Sequence, residues 1–432
     1  MKLLKKVVYL TLLYTLSFIF IPVAVLCSLV ARFICKASLL PRLVWGSTPI
    51  INNSYWSRAL VDAGFPSETF TTDFFTLINK RDDWDQILSE KYRWLPLHAR
   101  QFAAFLHSLF LYNIYFISFD GFFLGKTPVR FFQAYLLKLA NKKIVLLPYG
   151  SDSYVYRDIR SVPTMHGLLM SYPLASRQQN RIAKDVKYWT NHADAVLPGV
   201  MGPDGFGRWD VLMPSQLCID LHLWNSSKRL NEADGFLDEV VIAHAPNHRG
   251  FKGSEFVICA VEQLKKEGLK VRLELLERIQ NQQVRKILET NVDILVEQLI
   301  FTGHGMNALE GLAAGLPVIA NLEDQTYILP MRRWSYFSEC PIVSGTPENI
   351  VDILRKLVTR PDLRHELGRA GRAYVEKYHG LDSAQYLFKN VIDYVCGRRK
   401  SLINLYHPLL GEYPNRLPRI QHPLVNNHIV DR

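Results

Sequence analysis

Residues 301–321 read FTGHGMNALEGLAAGLPVIAN: loop, helix, turn and strand in one short run. Gly303 and Gly305 bracket His304 where the backbone must turn sharply and can let a ligand approach closely. Leu309, Leu312 and Ala313 then recur at helical spacing. Gly315 ends that helix, and Leu316-Pro317 leads into an apolar strand at 318–320. Glu310 is the one carboxylate of the stretch, among small apolar neighbours where a charge is costly unless partnered. A glycine loop feeding a helix N-terminus offers free N–H groups and a positive dipole end to a phosphate. A carboxylate beside it can accept hydrogen bonds from two neighbouring hydroxyls, as on a ribose. Spacing alone also allows a plain helix–strand crossover with Glu310 on its wet face. Both readings belong to an α/β protein.

Upstream, an apolar strand at 240–245 runs into PNHRGFKGS and a helix over 255–266. Arg249 can grip phosphate oxygens bidentately and Lys252 supplies a point charge, so this basic turn suits a diphosphate. Paired cations of this kind are also found simply solvated at a surface. Strands are expected at 271–276 and 293–297, with a helix over 280–289 between them. Downstream come a strand at 341–344 and helices over 347–358, 361–378 and 383–395. The Pro-bearing basic tail from Arg398 is expected to pack on the surface or fray.

The first half alternates in the same way. Strands are expected at 48–51, 70–75, 112–119 and 144–148, and helices over 55–63, 96–111 and 177–192, with a short strand at 195–198. Alternation at this length implies a parallel sheet with right-handed crossovers. The strand at 144–148 ends on Gly150-Ser151-Asp152, where ligands bind in a doubly wound sheet, although Asp152 also suits a helix N-cap. The polar stretch 221–238 reads as an interdomain linker. Aromatics mixed with Lys and Arg at 96–111 and 129–143 lack any nucleic-acid motif and fit core or membrane-facing helices better.

Composition bounds the rest. The 432 residues suffice for two α/β domains. Fifty-one basic against 40 acidic residues give +11 and a pI near 9.2, which suits phosphorylated substrates or an anionic surface. Six scattered cysteines with no C-x-x-C pair argue against a zinc site or disulfide framework and fit a reducing compartment. Sequons at Asn52 and Asn225 arise readily by chance. Residues 7–30 carry no charge, long enough to span a bilayer as a helix. Flanking Lys2, Lys5, Lys6, Arg32, Lys36 and Arg42 give no clean orientation. A helix within one leaflet, a re-entrant hairpin and a buried core helix all stay open. Removing residues up to about Lys36 is expected to release a soluble, nucleotide-binding core.

The run Glu310-Gly-Leu-Ala-Ala-Gly-Leu-Pro-Val-Ile resembles the donor-site motif of retaining, family-4-like glycosyltransferases of the GT-B fold, of bacterial polysaccharide and lipopolysaccharide type. The segment from His244 to Gly253 is similar to their H-x-P-x-H-R-x-x-K-G pattern, and Gly150-Ser151-Asp152 to an acceptor-side turn. The resemblance covers about 45–397 and implies two Rossmann-like domains facing across a cleft, 45–220 for the acceptor and 239–397 for the donor; the residues themselves give 1–36 as the membrane segment, 221–238 as the linker and 398–432 as a tail. It implies Arg249, Lys252 and Glu310 as catalytic residues and Gly303, His304, Gly305, Met306 and Asn307 as donor-binding. It also implies sugar transfer with retention from a nucleotide-sugar to a lipid-linked or polysaccharide hydroxyl, on the cytoplasmic side of a membrane. No metal, cofactor or nucleic acid enters that scheme. Many such proteins carry an E-x7-E pair; here Thr302 stands where the first Glu would be. A nucleotide-sugar epimerase of the same fold and an inactive scaffold are the rival readings.

Overall fold

Short apolar runs between amphipathic helices build two parallel sheets. The structure, a computed structural model, describes residues 2–34, 40–75, 79–198, 207–224 and 232–430. The sequon at Asn225, residues 225–231 of the expected linker and the boundary at Lys36 lie outside the described residues.

The chain opens with a 33-residue helix, α1 (Lys2–Ile34), which Pro22 does not break. The first sheet follows with β1 (Leu43–Trp45), α2 (Ile51–Asp62), β2 (Ser67–Thr71), β3 (Gln86–Ile87), the short α3 (Leu88–Lys91), α4 (Leu97–Leu111) and β4 (Ile114–Ile117). It continues with α5 (Gln133–Leu139), β5 (Lys143–Leu146), α6 (Val162–Ser171), α7 (Pro173–His192) and β6 (Ala195–Val196). Strand order is β3-β2-β1-β4-β5-β6, every pairing parallel. The strand expected at 48–51 sits earlier, at β1. Leu43, Val44 and Trp45 are fully buried, whereas Pro49 has no N–H for a ladder and leads directly into α2.

The second sheet comprises β7 (Val240–His244), the helical turn α8 (Arg249–Lys252), α9 (Ser254–Lys266), β8 (Val271–Leu275), α10 (Asn281–Thr290) and β9 (Ile294–Thr302). Then come α11 (Met306–Ala313), β10 (Val318–Asn321), α12 (Gln325–Trp334) and β11 (Val343–Ser344). The order is β11-β10-β9-β7-β8, again all parallel. Helices α13 (Ile350–Thr359), α14 (Pro361–Tyr378) and α15 (Leu381–Val395) follow. α15 returns to the first sheet: Phe388 meets Trp45 edge-on at 4.8 Å, while Trp45 stacks on Phe116 at 3.8 Å. One apolar cluster therefore runs continuously from the first sheet into the second.

The tail beyond Arg398 does not fray. Tyr406 and Tyr413 are buried, and Tyr336 stacks on Tyr378 at 4.1 Å with Tyr406 edge-on at 5.2 Å. Tyr406 and Tyr413 give this tail more apolar surface to bury than its proline and charge content suggests.

Candidate active site

In an open parallel sheet, ligands bind past the C-terminal strand ends where the strand order reverses. In the second sheet that point lies between β7 and β9. The turn carrying Arg249 and Lys252 follows β7, and Gly303-His304-Gly305 follows β9. The two stretches singled out from sequence therefore meet at one crevice.

Gly303 has φ 99°, a conformation costly to other residues. A Cβ on Gly305 would lie 2.9 Å from the Glu297 carboxylate. Gly303 is thus required by the backbone path, and Gly305 by the close approach of the Glu297 side chain. Gly305 caps α11 without a side-chain hydrogen bond, so the first N–H groups of α11 receive no side-chain cap. Met306 Sδ accepts a hydrogen bond from Asn52 Nδ2 at 3.7 Å, and Asn52 Oδ1 accepts one from Cys218 N–H at 2.8 Å. The sequon asparagine is thus buried between the two sheets, which rules out a glycan there.

Glu310 is buried, not on a wet face. Its carboxylate accepts hydrogen bonds from Asn281 Nδ2 at 2.8 Å and Asn307 Nδ2 at 3.3 Å. Burial pushes its pKa up, and among the described residues no cation forms an ion pair with it. Two neutral amides hold the carboxylate in place while leaving it open to further donors.

Lys252 is as buried as Glu310, and it already has partners. Its ammonium donates to Glu297 Oε1 at 2.7 Å and Gln298 Oε1 at 3.0 Å, and Gly305 N–H donates to the same Glu297 oxygen at 2.9 Å. A register irregularity in β9 against β10, where Ala320 pairs Gln298 and Asn321 pairs Thr302, lets neighbouring residues 297 and 298 both reach Lys252. The second oxygen of Glu297 is buried with no hydrogen-bond partner. Glu297, Gln298 and Asn281 were not foreseen from sequence. The readable signal was a Glu-Gln pair inside the otherwise apolar run ILVEQLIFT.

Arg249 is half-exposed, with Glu255 at 3.4 Å and Glu277 at 3.3 Å. Its turn touches the first domain. A Cβ on Gly250 would come within 2.8 Å of Met170 Cβ, and Tyr172 lies 4.4 Å from His248. His304 points inward: it is buried, parallel to Phe337 at 6.2 Å and edge-on to His379 at 5.9 Å, with no hydrogen-bond partner for either ring nitrogen.

On the first sheet the order reverses between β1 and β4. A cavity there is lined by Gly46, Thr48, Asn53, Ser118, Tyr149 and Gln216. The cavity lining on this segment stops at Tyr149, so the expected Gly150-Ser151-Asp152 turn does not line it, and Asp152 serves the backbone: Oδ1 accepts from Tyr149 and Gly150 N–H at 3.0 Å each, and Oδ2 from Phe119 N–H at 3.1 Å. It ties the ends of β4 and β5 together and caps no helix, while burial pushes its pKa up to about 7. Ser151 beside it is half-buried. Tyr149 turns outward and its hydroxyl donates to the exposed Asp120 at 2.7 Å. Among the described residues, no group of three His, Cys, Asp or Glu is placed to hold a metal ion.

Three buried histidines predict the acid behaviour of this region. Burial lowers the pKa of His244 to about 4, of His379 to about 3, and also that of His304. Below pH 6.5 the unfolded chain binds protons that these rings refuse, so stability falls as pH drops from about 6.5 towards 4. His244 alone accounts for about 3 kcal/mol of that loss by pH 4, at 1.36 kcal/mol per pH unit. Denaturant midpoints at pH 7, 5.5 and 4.5 measure the slope. A flat profile would mean the rings are protonated in the fold.

No protein-family model matches the chain, and no curated protein matches it in sequence. Among solved structures it is similar to sucrose-phosphate synthase from Thermosynechococcus elongatus: 14% identity, 83% of this chain and 100% of that chain covered, TM-score 0.52. It is also similar to an alpha-glucosyltransferase in complex with UDP and a 13-mer DNA containing a central A:G mismatch, at 11% identity, 82% and 100% coverage and TM-score 0.49. A glycosyltransferase from Rickettsia africae is similar at 11% identity, 83% and 99% coverage and TM-score 0.45. The two strand orders and the superposition on the synthase give this chain the GT-B architecture, two Rossmann-like domains facing across a cleft. One N-terminal helix is long and apolar enough to cross a membrane.

Proposed function

We propose that this protein is a glycosyltransferase that moves a sugar from a nucleotide-sugar donor to a hydroxyl of a lipid-linked or polysaccharide acceptor, with retention of configuration. The observation that carries the reading is the meeting of Arg249, Lys252, the uncapped start of α11 and the amide-held Glu310 at one crevice. The donor diphosphate lies against the α11 N-terminus and Arg249, and Glu310 accepts the ribose hydroxyls. Departure of the nucleoside diphosphate is assisted by donors already fixed where its charge develops. The acceptor enters by the cavity between β1 and β4, with its hydroxyl turned toward the donor crevice. Residues 45–220 form the acceptor domain and 239–397 the donor domain. The motif resemblance supports retention, α1 supports work at a membrane, and dependence on a nucleotide-sugar, made in the cytosol, supports its cytoplasmic face. Neither metal nor cofactor is needed for this chemistry. Thr302 leaves the sugar contacts to the loop amides, since His304 is turned into the core against Phe337 and His379.

Binding of UDP and GDP, set against binding of pyrophosphate, tests the assignment. Arg249→Ala should weaken all three ligands about ten- to a hundredfold, the loss of one charge-assisted hydrogen bond at about 1.5–3 kcal/mol. Being half-exposed, it should leave the melting temperature nearly unchanged. Glu310→Gln should weaken UDP and GDP moderately and Glu310→Ala more, with pyrophosphate hardly affected. Equal losses for pyrophosphate and nucleotides in the Glu310 variants would make Glu310 a structural residue and leave the ribose unassigned.

A further inference from the structure

α1 does not stand away from the fold as a stalk. Leu13, Ser17, Phe20, Ala24, Ser28 and Ala31 are buried against α4 and α5, and Phe20 lies 4.8 Å from Phe102 and 6.1 Å from Phe105. At 100° per residue these six positions fall within an arc of about 80°, and they run along about 27 Å of helix. The small residues in the stripe let the helices approach closely. More than half of the circumference faces outward and is apolar, with Phe18 83%, Leu26 63% and Phe33 79% exposed.

We infer that α1 lies in the plane of one leaflet with the first domain resting on it, rather than crossing the bilayer. The inference rests on the membrane association proposed above and specifies its geometry. A crossing helix would need about 30 Å of hydrocarbon along its axis, nearly all of it occupied here by the docked domain. Crossing in the docked state would drag α4 and α5 inward, with exposed His107 and Lys138 in hydrocarbon. Crossing after undocking would bare Phe102 and Phe105 to water. Lying flat avoids both costs.

The occupant of the outer face is lipid. A partner helix or a second copy covers one stripe, whereas this face is apolar over too wide an arc for one stripe to close. Trp94 and Leu97 at the start of α4 and Tyr135 on α5 are also exposed, a set of side chains suited to a membrane interface. The net charge of +11, with Lys2, Lys5, Lys6 and Arg32 at the two ends of α1, matches an anionic leaflet. Both ends of α1 then stay on the side of the domains, which is why the flanking charges show no inside–outside bias.

The test adds full-length protein, with a protease-cleavable N-terminal tag, to sealed liposomes of phosphatidylethanolamine and phosphatidylglycerol. Salt-resistant binding with complete tag removal by external protease is expected. The double substitution Phe18→Asp with Leu26→Asp on the outer face should cut liposome binding on the order of tenfold or more, with the melting temperature unchanged. Salt-resistant binding with a protected tag would overturn the in-plane geometry and leave membrane association standing. Release by salt alone would remove membrane association itself, while UDP binding, measured in parallel, reports on the donor site separately. Dimers without liposome binding would assign the face to a second copy and overturn the inference.

Discussion

Replacing Lys252 by Met should cost about 3–5 kcal/mol of unfolding free energy, far more than a solvent-exposed phosphate clamp would cost. The side chain of Lys252 is 9% exposed and that of Glu297 is fully buried, at 2.7 Å. Removing the cation strands a carboxylate that water cannot reach, the situation in which breaking a buried pair is most damaging. Glu297→Gln in the same chain removes the stranded charge and should restore most of the loss. Diphosphate binding should stay weak in the double variant, because the cation is still missing. Chemical denaturation of the three proteins separates the two effects, with titration of UDP read beside it. Normal stability for Lys252→Met would mean that Glu297 is protonated or solvated, and the pairing would then have no energetic weight. Full UDP affinity in the double variant would leave Arg249 as the whole clamp.

Local spacing made the crevice legible because its glycines and its helix start are near neighbours in the chain. Gly303, Gly305 and the basic turn can each be read within ten residues, and parallel strand order then brings them together. Glu297 could not be read in the same way. A carboxylate in an apolar strand becomes a lysine partner only because β9 loses its regular register beside it. Asn281 is set by the placement of α10 across the crevice, a tertiary fact with no local signature. Asp152 shows the reverse case: read as a cleft residue, it has its carboxylate occupied by three backbone N–H groups. α12 was missed because Pro330 lies inside it, and proline argues against a helix interior wherever tertiary packing does not outweigh the lost hydrogen bond. Propensity misplaced β1, since Thr and Ile outweighed a burial that only the sheet reveals.

The hinge side of the cleft carries contacts that tie donor loop to acceptor domain. His379 Nδ1 bonds Leu217 O at 2.8 Å, Ile219 N–H donates to His379 O at 2.8 Å, and His379 lies against His304. Asn52 joins Cys218 to Met306 on the other side. The Gly303–Gly305 loop and the start of α11 are therefore linked, through His304 and Met306, to residues 217–219.

Deleting residues 1–39 should leave a core that aggregates and melts well below the full chain, contrary to what the sequence alone suggests for a terminal membrane segment. α1 contributes Leu13, Phe20, Ala24 and Ala31 to the apolar cluster of the first domain. Its removal forfeits the burial of two large side chains at about 1.5–3 kcal/mol each, and uncovers the rings of Phe102 and Phe105 besides. A total of about 5 kcal/mol or more is a large share of the 5–15 kcal/mol by which domains of this kind are stable. Phe20→Ala in the intact chain isolates the docking contact and should cost about 3 kcal/mol, near the lower end for a core Phe, since α1 is covered on one side only. Detergent should rescue solubility of the truncated core in part, because the newly exposed rings remain apolar. Melting temperature, dye binding to exposed apolar surface and light scattering report the three effects. A truncated core that is monomeric and as stable as the full protein would mean that α1 rests on the domain without energetic coupling, and the in-plane geometry would lose its main support.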